Sequence, residues 1–481
     1  MKFGFFEVDI TPFLGMERPG GYGKAYSEKI HDFLKCRAFV CEGKEEKVAI
    51  CVLDTLDISR RFVKEVREEI ERKTGIKKEN ILISATHTHS GGPLFGLLPD
   101  EYDDAPELIK NIISKYTIIV DPYYYEFTKK KVVDAIVMAD MIKKEGICQV
   151  GLGFENKVSF NRRAKMKTGR VYTHPGKCNP DIVEPAGVVD YDVGVLSFWD
   201  KSEKFNGCLI NFACHCTTGP GGISADWIYY TEKIIRKVLG DEAKVIVLQG
   251  ASGDITQVDN FTLRPRELEW GEKGANYVGT RVGLEGLKII LTEEKYEFNE
   301  IKSKNFIFNV RMREQSEEKL KKAKELVEKG LKDEEIRNTT EWTFAKERLI
   351  ADYLFKKNPY VEVEIQAIQI GPLIIISNPC EFFCILGRRI KENSHFPFTF
   401  IVELANGCIG YVCDIDSFSS SGGGYETVLT SHSNTEIETG EKIVKESIKL
   451  IKQFSPEEIP VKKAEISTTP WSYGILGPDI D

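Results

Sequence analysis

The sequence has no excess of basic residues: 66 Lys and Arg stand against 74 Asp and Glu, for a net charge of -8. A nucleic-acid surface needs clustered Lys and Arg to displace counterions from phosphates, so that class of partner is excluded. No run approaches the roughly 18 consecutive apolar residues that a membrane span requires. The amino terminus, MKFGFFEVDITPFLGMERPGG, has no long apolar core followed by a small-residue cleavage site, and the expectation is a cytoplasmic chain without a transmembrane segment. GxxxxGK[ST], GxSxG and HExxH are all missing, which removes the simplest ATPase, α/β-hydrolase and zincin readings. Repeats, low-complexity tracts and obvious interdomain linkers are also missing. Histidine is scarce, with seven in 481 residues, so where each one stands carries information.

What is present reads as a large globular protein, 42% hydrophobic and 29% charged. Twelve cysteines are scattered through strand-like stretches such as CRAFVCEG and VAICVLD, a placement that suits buried, reduced thiols better than a disulfide framework. Strands are predicted at Ala38 to Cys41 and Val48 to Leu53, a helix at Arg60 to Lys73, and a short buried strand, ILISA, at 81–85. A helix over Tyr124 to Lys144 leads to strands at Cys148 to Phe154, Val193 to Trp199 and Gly207 to Ala213. Further strands are expected at Val361 to Gln369, Leu373 to Ser377 and Phe398 to Leu404. Glu314 to Lys357 reads as a charged, solvated helical hairpin, an insertion rather than a site. The fold class predicted is α/β (mixed α+β), with central, largely parallel or mixed sheets flanked by helices. One domain spans 1–481, with the hairpin at 314–357 inserted in it.

SATHTHSGGP, residues 84–93, places two histidines at the carboxyl end of the strand predicted at 81–85. Residues two apart on a strand point to the same face, so His87 and His89 are predicted to face one cavity. CLINFACHCTTGPGG repeats the pattern with His215 before a glycine turn, and VIVLQGASGDI delivers small residues and Asp254 at the end of a third apolar run. Ligands collect at the carboxyl ends of parallel strands. A catalytic zinc takes three protein ligands and keeps a position open, so two histidines need an anionic partner. Glu381, Asp226 and Asp254 all qualify. Glu381, in SNPCEFF, is expected in the first turn of a helix, where the dipole favours a carboxylate, although capping alone would explain it too. A zinc cluster built from Cys214, Cys216, Cys380 and Cys384 is disfavoured, because C-x2-C knuckles are missing and strand neighbours point to opposite faces. The glycines after His89 are expected to let backbone pass close to a metal. SSSGGGYE, at 419–426, reads as a mobile loop that closes over a substrate.

These stretches, taken with VDITP, VLDTLDI, FNRR, LQGASGDIT, NPCEFFCILGRR and ELANGCIGYV, resemble the amino-terminal catalytic domain of the neutral/alkaline non-lysosomal ceramidases, in family order from residue 8 to about 430. The resemblance implies one zinc ion (Zn2+) per chain, held by His87, His215, Glu381 and Tyr411, with His89 and Arg162 lining the site. It also places Asp254 and Thr256 in the catalytic set. The reaction it implies is hydrolysis of a linear amide (N-acyl) bond of a small-molecule or lipid substrate by zinc-activated water. The family's GDVSPN segment reads GDITQVDN here, so Thr256 stands at the position of the serine proposed as nucleophile, which weakens that role. The usual PGE turn is PCE, and the carboxyl-terminal β-sandwich of the larger ceramidases is not expected. Two other readings stay open: a cytoplasmic hydrolase of a small polar amide or ester, and a non-catalytic metal- or carbohydrate-binding protein on the same scaffold.

Overall fold

In the computed structural model, which describes residues 1–460 and 466–480, three antiparallel strands come first: β1 (Lys2–Asp9), β2 (Lys35–Glu42) and β3 (Lys47–Leu53). The chain then crosses through α1 (Arg60–Thr74) to β4 (Ile81–Ala85), which runs parallel to β3. Helix α1 forms where local signals agree. Ser59 accepts the Phe62 N–H at its start, Phe62, Val66 and Ile70 recur on one buried face, and Gly75 closes it at φ 70°.

Next follow α2 (Glu107–Tyr116), α3 (Pro122–Met141), β5 (Lys144–Phe154) and four short strands, β6 (Phe160–Asn161), β7 (Arg163–Met166), β8 (Val171–Thr173) and β9 (Ile182–Pro185). Beyond them lie β10 (Asp192–Asp200), β11 (Phe205–Phe212), α4 (Trp227–Leu239), β12 (Lys244–Gln249), β13 (Ile255–Thr256) and α5 (Gly271–Thr292). The last third comprises β14 (Ile301–Arg311), α6 (Glu317–Gly330), α7 (Glu334–Arg337), α8 (Thr340–Lys357), β15 (Tyr360–Ile370) and β16 (Leu373–Ser377). It ends with β17 (Glu381–Phe382), α9 (Cys384–Glu392), β18 (Phe398–Val402), β19 (Tyr411–Val412) and α10 (Thr439–Ile451).

Two sheets stack at the centre. The larger has eight strands in the order β12-β11-β10-β5-β1-β2-β3-β4, the smaller four in the order β14-β15-β16-β18. One face of the larger sheet carries α1 and α3 at one end and α4 and α5 at the other. Its opposite face packs on the smaller sheet, whose outer face is covered by α9 and α10. Both faces of the central strands are therefore buried, and side-chain alternation decides which layer each residue joins. In β3, Ala49, Cys51 and Leu53 lie beneath helices, while Val48, Ile50 and Val52 meet the second sheet. Phe198 contributes to the core between the sheets from the larger one, its ring 4.7 Å from Phe39 and 5.0 Å from Phe3 of the same sheet. Truncating it to Ala would cost about 3–5 kcal/mol.

The mixed α/β class is the one expected, but parallel pairing is confined to β3–β4, β11–β12 and β16–β18 within the two large sheets. Strand β1 escaped the sequence reading. The helix expected to reach Lys144 stops at Met141, and Lys144 opens β5. The hairpin at 314–357 is present as α6, α7 and α8, yet it is not merely solvated: Trp342, Ala345, Lys346, Glu347 and Leu349 of α8 are buried. All twelve cysteines are free, and all but Cys178 and Cys408 are buried. Among the described residues, no helix is long and apolar enough to cross a membrane.

Candidate metal centre

The three parallel pairs aim their carboxyl ends at one place, and the loops leaving them are stitched together by backbone hydrogen bonds. Ala85 N–H donates to Leu404 C=O, Glu403 N–H to Gln249 C=O, and His89 N–H to Cys216 C=O. His87 lies beyond the end of β4 at φ 63°, left-handed backbone that costs a non-glycine residue of order 1 kcal/mol. Strand alternation is therefore not what aligns His87 and His89, as the sequence suggested; a strained turn past the strand does it. The following glycines also serve another purpose than expected. A Cβ on Gly91 would meet Thr55, and one on Gly92 would overlap the Tyr124 ring, so both are packing positions. Close approach at the site is permitted by Gly253, where a Cβ would lie 2.4 Å from Glu381 C=O, and by Gly20, where one would lie 2.5 Å from His89 C=O.

Each of three imidazoles is oriented by a carbonyl. His87 Nδ1 donates to Leu56 C=O at 2.9 Å, His215 Nδ1 to Ser252 C=O at 2.7 Å, and His89 Nδ1 to Gly20 C=O at 2.9 Å. A carbonyl only accepts, so each Nδ1 carries the proton and each Nε2 presents a lone pair. Those lone pairs converge: His87 Nε2 lies 3.2 Å from His215 Nε2 and 3.4 Å from His89 Nε2. Glu381 Oε2 joins them, 3.2 Å from His87 Nε2 and 3.4 Å from His215 Nε2, and is a buried oxygen that accepts no hydrogen bond. Facing lone pairs repel unless a cation sits among them. The donor set of imidazole nitrogens and one carboxylate, with carbonyls fixing the tautomers behind it, fits a divalent metal.

Electrostatics follow from this crowding. Burial alone would depress His87, but Glu381 reverses it and holds the imidazole above its ordinary value. Burial and the Arg162 charge hold His215 well below. Burial and His87 push His89 down to about 3. Burial would raise the Glu381 carboxyl, yet His87 and His215 together keep it well below the usual carboxylate range.

The other residues singled out by sequence divide into those in the cluster and those outside it. Arg162 is in it: Nη1 lies 3.2 Å from His215 Nε2, Nη2 donates to Gly253 C=O at 2.7 Å, and Nε donates to Glu426 at 2.9 Å. Its guanidinium is flanked by the rings of Tyr411 and Tyr425 at 5.4 and 5.1 Å. Tyr411 stands beside Glu381 because β17 and β19 pair in parallel with these two residues in register. Asp254 works as a strut instead, accepting from Asn161 Nδ2 at 2.6 Å and Cys384 N–H at 2.8 Å. Thr256 turns its hydroxyl to Gln257, 3.1 Å away. Neither residue lines the cavity above the histidines.

Two expectations about carboxylates are corrected. Glu381 does not open a helix: its N–H donates to Gly410 C=O, which pins it in β17, and the helix starts at Cys384. Asp226 is not free to ligate, since its oxygens accept from Thr218 Oγ1, Gly219 N–H and Trp227 N–H as the N-cap of α4. Sequence reasoning also passed over three residues. Glu403, buried and pushed up to about 8 by desolvation, bonds Ser252 and Phe382 N–H, and so braces the partners of both His215 and Glu381. Its signal was an acid directly after the apolar run of β18. Tyr425 places its hydroxyl 3.1 Å from that of Tyr411. Glu426 anchors the segment expected to be a mobile loop, tying it to Arg162 and to Thr173 Oγ1 at 2.6 Å.

A cavity of about 310 Å³ opens over the histidines, bounded by Tyr22, Leu56, Phe95 and Ile118 among others. A second, of about 560 Å³, adjoins it, with Leu97 and Met312 in its wall.

No protein-family model and no curated protein matches this sequence. Among solved structures the chain is similar to the neutral ceramidase from Pseudomonas aeruginosa, with a TM-score of 0.65 at 18% identity, over 96% of this chain and 76% of that one. It is similar in the same measure to a ceramidase complexed with C2, with a TM-score of 0.65 at 17% identity, over 97% of this chain and 78% of that one. The likeness is one of fold: the chain has the architecture of these ceramidases across nearly its whole described length.

Proposed function

We propose that this chain, built on the ceramidase architecture, is a zinc-dependent hydrolase of linear amides. The observation that carries the reading is the convergence of His87 and His215 Nε2 on an otherwise unbonded Glu381 Oε2. His87, His215, Glu381 and Tyr411 are the residues proposed to hold the ion. Zinc, when bound, supplies Lewis acidity at a carbonyl and makes water nucleophilic at neutral pH.

The chain's own residues supply the rest. His89 keeps its Nδ1 proton on Gly20 C=O, so Nε2 is the position that takes a proton from water and hands it to the departing amine. Burial holds that imidazole neutral at pH 7. Arg162, fixed by Glu426 and Gly253, offers a permanent positive charge to an oxygen that becomes negative, and the Tyr425 hydroxyl adds a donor there. Asp254 contributes by holding Asn161 and the backbone beside Arg162; Thr256 has no nucleophilic part. A lipid amide is the substrate suggested by the ceramidases of the same fold, and a small polar amide is favoured by the carboxylates in the cavity wall. A cytoplasmic setting belongs to the same reading, on the ground of the scattered buried cysteines.

The test measures metal content by mass spectrometry and fatty-acid release from N-acyl amides. One zinc per chain and chelator-sensitive release are expected. Absence of stoichiometric metal, or full activity in His87→Ala, would sink the reading.

A further inference from the structure

The outer edge of the smaller sheet is open at its centre. Strand β14 pairs with β15 on one side only, in unbroken register from Ile301 opposite Ile370 to Arg311 opposite Tyr360. Just beyond these ends Gly371 N–H donates to Glu300 C=O at 2.8 Å and Met312 N–H to Pro359 C=O at 2.9 Å. Even-numbered residues of β14 therefore exchange bonds with β15, and odd-numbered ones turn their backbone groups outward. Two outward positions are closed by carboxylates: Ser303 N–H donates to Glu46 at 2.9 Å and Arg311 N–H to Glu436 at 3.2 Å. Between them the backbone N–H and C=O groups of Asn305, Ile307 and Asn309 have no partner among the described residues. The β4 edge of the larger sheet is instead covered by the chain itself, where Ile83 N–H donates to Asn406 Oδ1 and Ala85 N–H to Leu404 C=O.

The open stretch is Asn305, Phe306, Ile307, Phe308, Asn309, which reads the same in either direction. It contains no charge, proline or bulge, the devices that keep strand edges from pairing. Phe306 and Ile307 are 42% and 47% exposed, and Phe306 stacks on Phe308 at 5.7 Å. Antiparallel pairing with a second copy about a twofold axis at Ile307 sets like against like: Ile307 faces Ile307, Asn305 faces Asn309 and Phe306 faces Phe308. Glu46 and Glu436 close positions equally far from Ile307, so the two ends of the gap match as well. Charge agrees with this register. Lys304 falls opposite Val310, and the half-exposed Arg311 comes opposite Ser303 of the second copy, beside the Glu46 carboxylate that caps it.

We propose that β14 is a homodimer interface, at which a second copy of this chain adds its own β14 antiparallel across Ile307 and joins the two four-stranded sheets into one. Three narrow pairs, each exchanging two hydrogen bonds, satisfy the backbone groups that one copy leaves open. The Phe306 and Phe308 rings and Ile307 supply the apolar contact. Such an interface is small, and association of about micromolar strength follows from its size. None of its residues lines the cavity over the histidines, so metal content and hydrolysis serve as internal controls.

Sedimentation velocity of the full chain between about 0.1 and 100 µM should show a monomer in equilibrium with a dimer. Ile307→Lys sets two ammonium groups against each other at the twofold axis and should weaken dimerisation by about 100-fold or more, with metal content unchanged. Ile307→Glu should do the same, and an equal mixture of the two variants should recover the dimer, because only in this register does Ile307 face Ile307. Hydrogen exchange on the wild type needs no variant to fold. The amides of Asn305, Ile307 and Asn309 should exchange about tenfold more slowly at the highest concentration than at the lowest. A wild type that stays monomeric throughout, a dimer that survives Ile307→Lys, a mixture that stays monomeric, or exchange at these amides that ignores concentration would each overturn the proposal.

Discussion

Glu381 and Tyr411 are register partners in a two-residue parallel pair, so a backbone ladder places a carboxylate and a phenol on one face at the centre of the histidine cluster. The pairing explains why Glu381 Oε2 reaches both His87 and His215 without a hydrogen bond of its own. It also explains why burial and the Glu381 charge push the Tyr411 phenol well above its ordinary value.

Glu381→Gln keeps the shape and removes the charge. Metal content should fall from one ion per chain to a small fraction, read by mass spectrometry after dialysis. In the wild type, added zinc should raise the melting temperature, since metal at 1,000 times Kd adds about 4 kcal/mol. The variant should show little of that rise. An unchanged rise would exclude Glu381 as a ligand.

Arg162→Lys retains the charge but cannot contact Glu426, Gly253 and the His215 side together. A loss of about 100-fold in kcat is expected, the size seen when a preorganised donor is removed. A change in KM alone would show that Arg162 grips substrate without acting on the transition state.

Thr256→Ala tests the nucleophile directly. The hydroxyl is spent on Gln257 within a short strand pair with β6, so kcat/KM should stay within about threefold of wild type, the change that loss of one neutral hydrogen bond produces. A loss beyond 1,000-fold, on the scale of removing a nucleophile, would reverse the assignment.

Asp226 lies away from the cluster and carries a pH signature. Burial raises its carboxyl from 3.8 to about 6. A raised folded value means the folded state holds the proton more tightly, so the stability contribution is complete below pH 3.8 and is lost as pH rises through about 6. The magnitude is on the order of 3 kcal/mol. Asp226→Asn removes this dependence, and urea denaturation of both proteins between pH 4 and 7 should show a flatter profile for the variant. Parallel profiles would contradict the burial argument.

The strands containing Val48, Leu82 and Ile375 were legible because both their faces are buried, which leaves uninterrupted apolar runs with sharp turn boundaries. His87, His89 and His215 were legible for a related reason, as polar residues set against an apolar strand end. Glu347 was not, since α8 looks like other charged helices until its contact with Ser431 is seen. Glu381 was read in the wrong element, because an acid near a helix start and an acid in a short strand have the same local sequence.

By itself, then, the sequence determined the class of the fold, the strands of its core and the three histidines, all through local periodicity and abrupt changes of polarity along the chain. Only the tertiary structure decided that Glu381 reaches those histidines with Tyr411 beside it, as the resemblance implied, that Asp226 caps a helix and Asp254 braces a turn, and that Tyr425 and Glu403 close around them. The reason is that these contacts join loops leaving different strands of two stacked sheets. Their meeting is set by crossovers and by register between the sheets, to which no local period in the sequence corresponds.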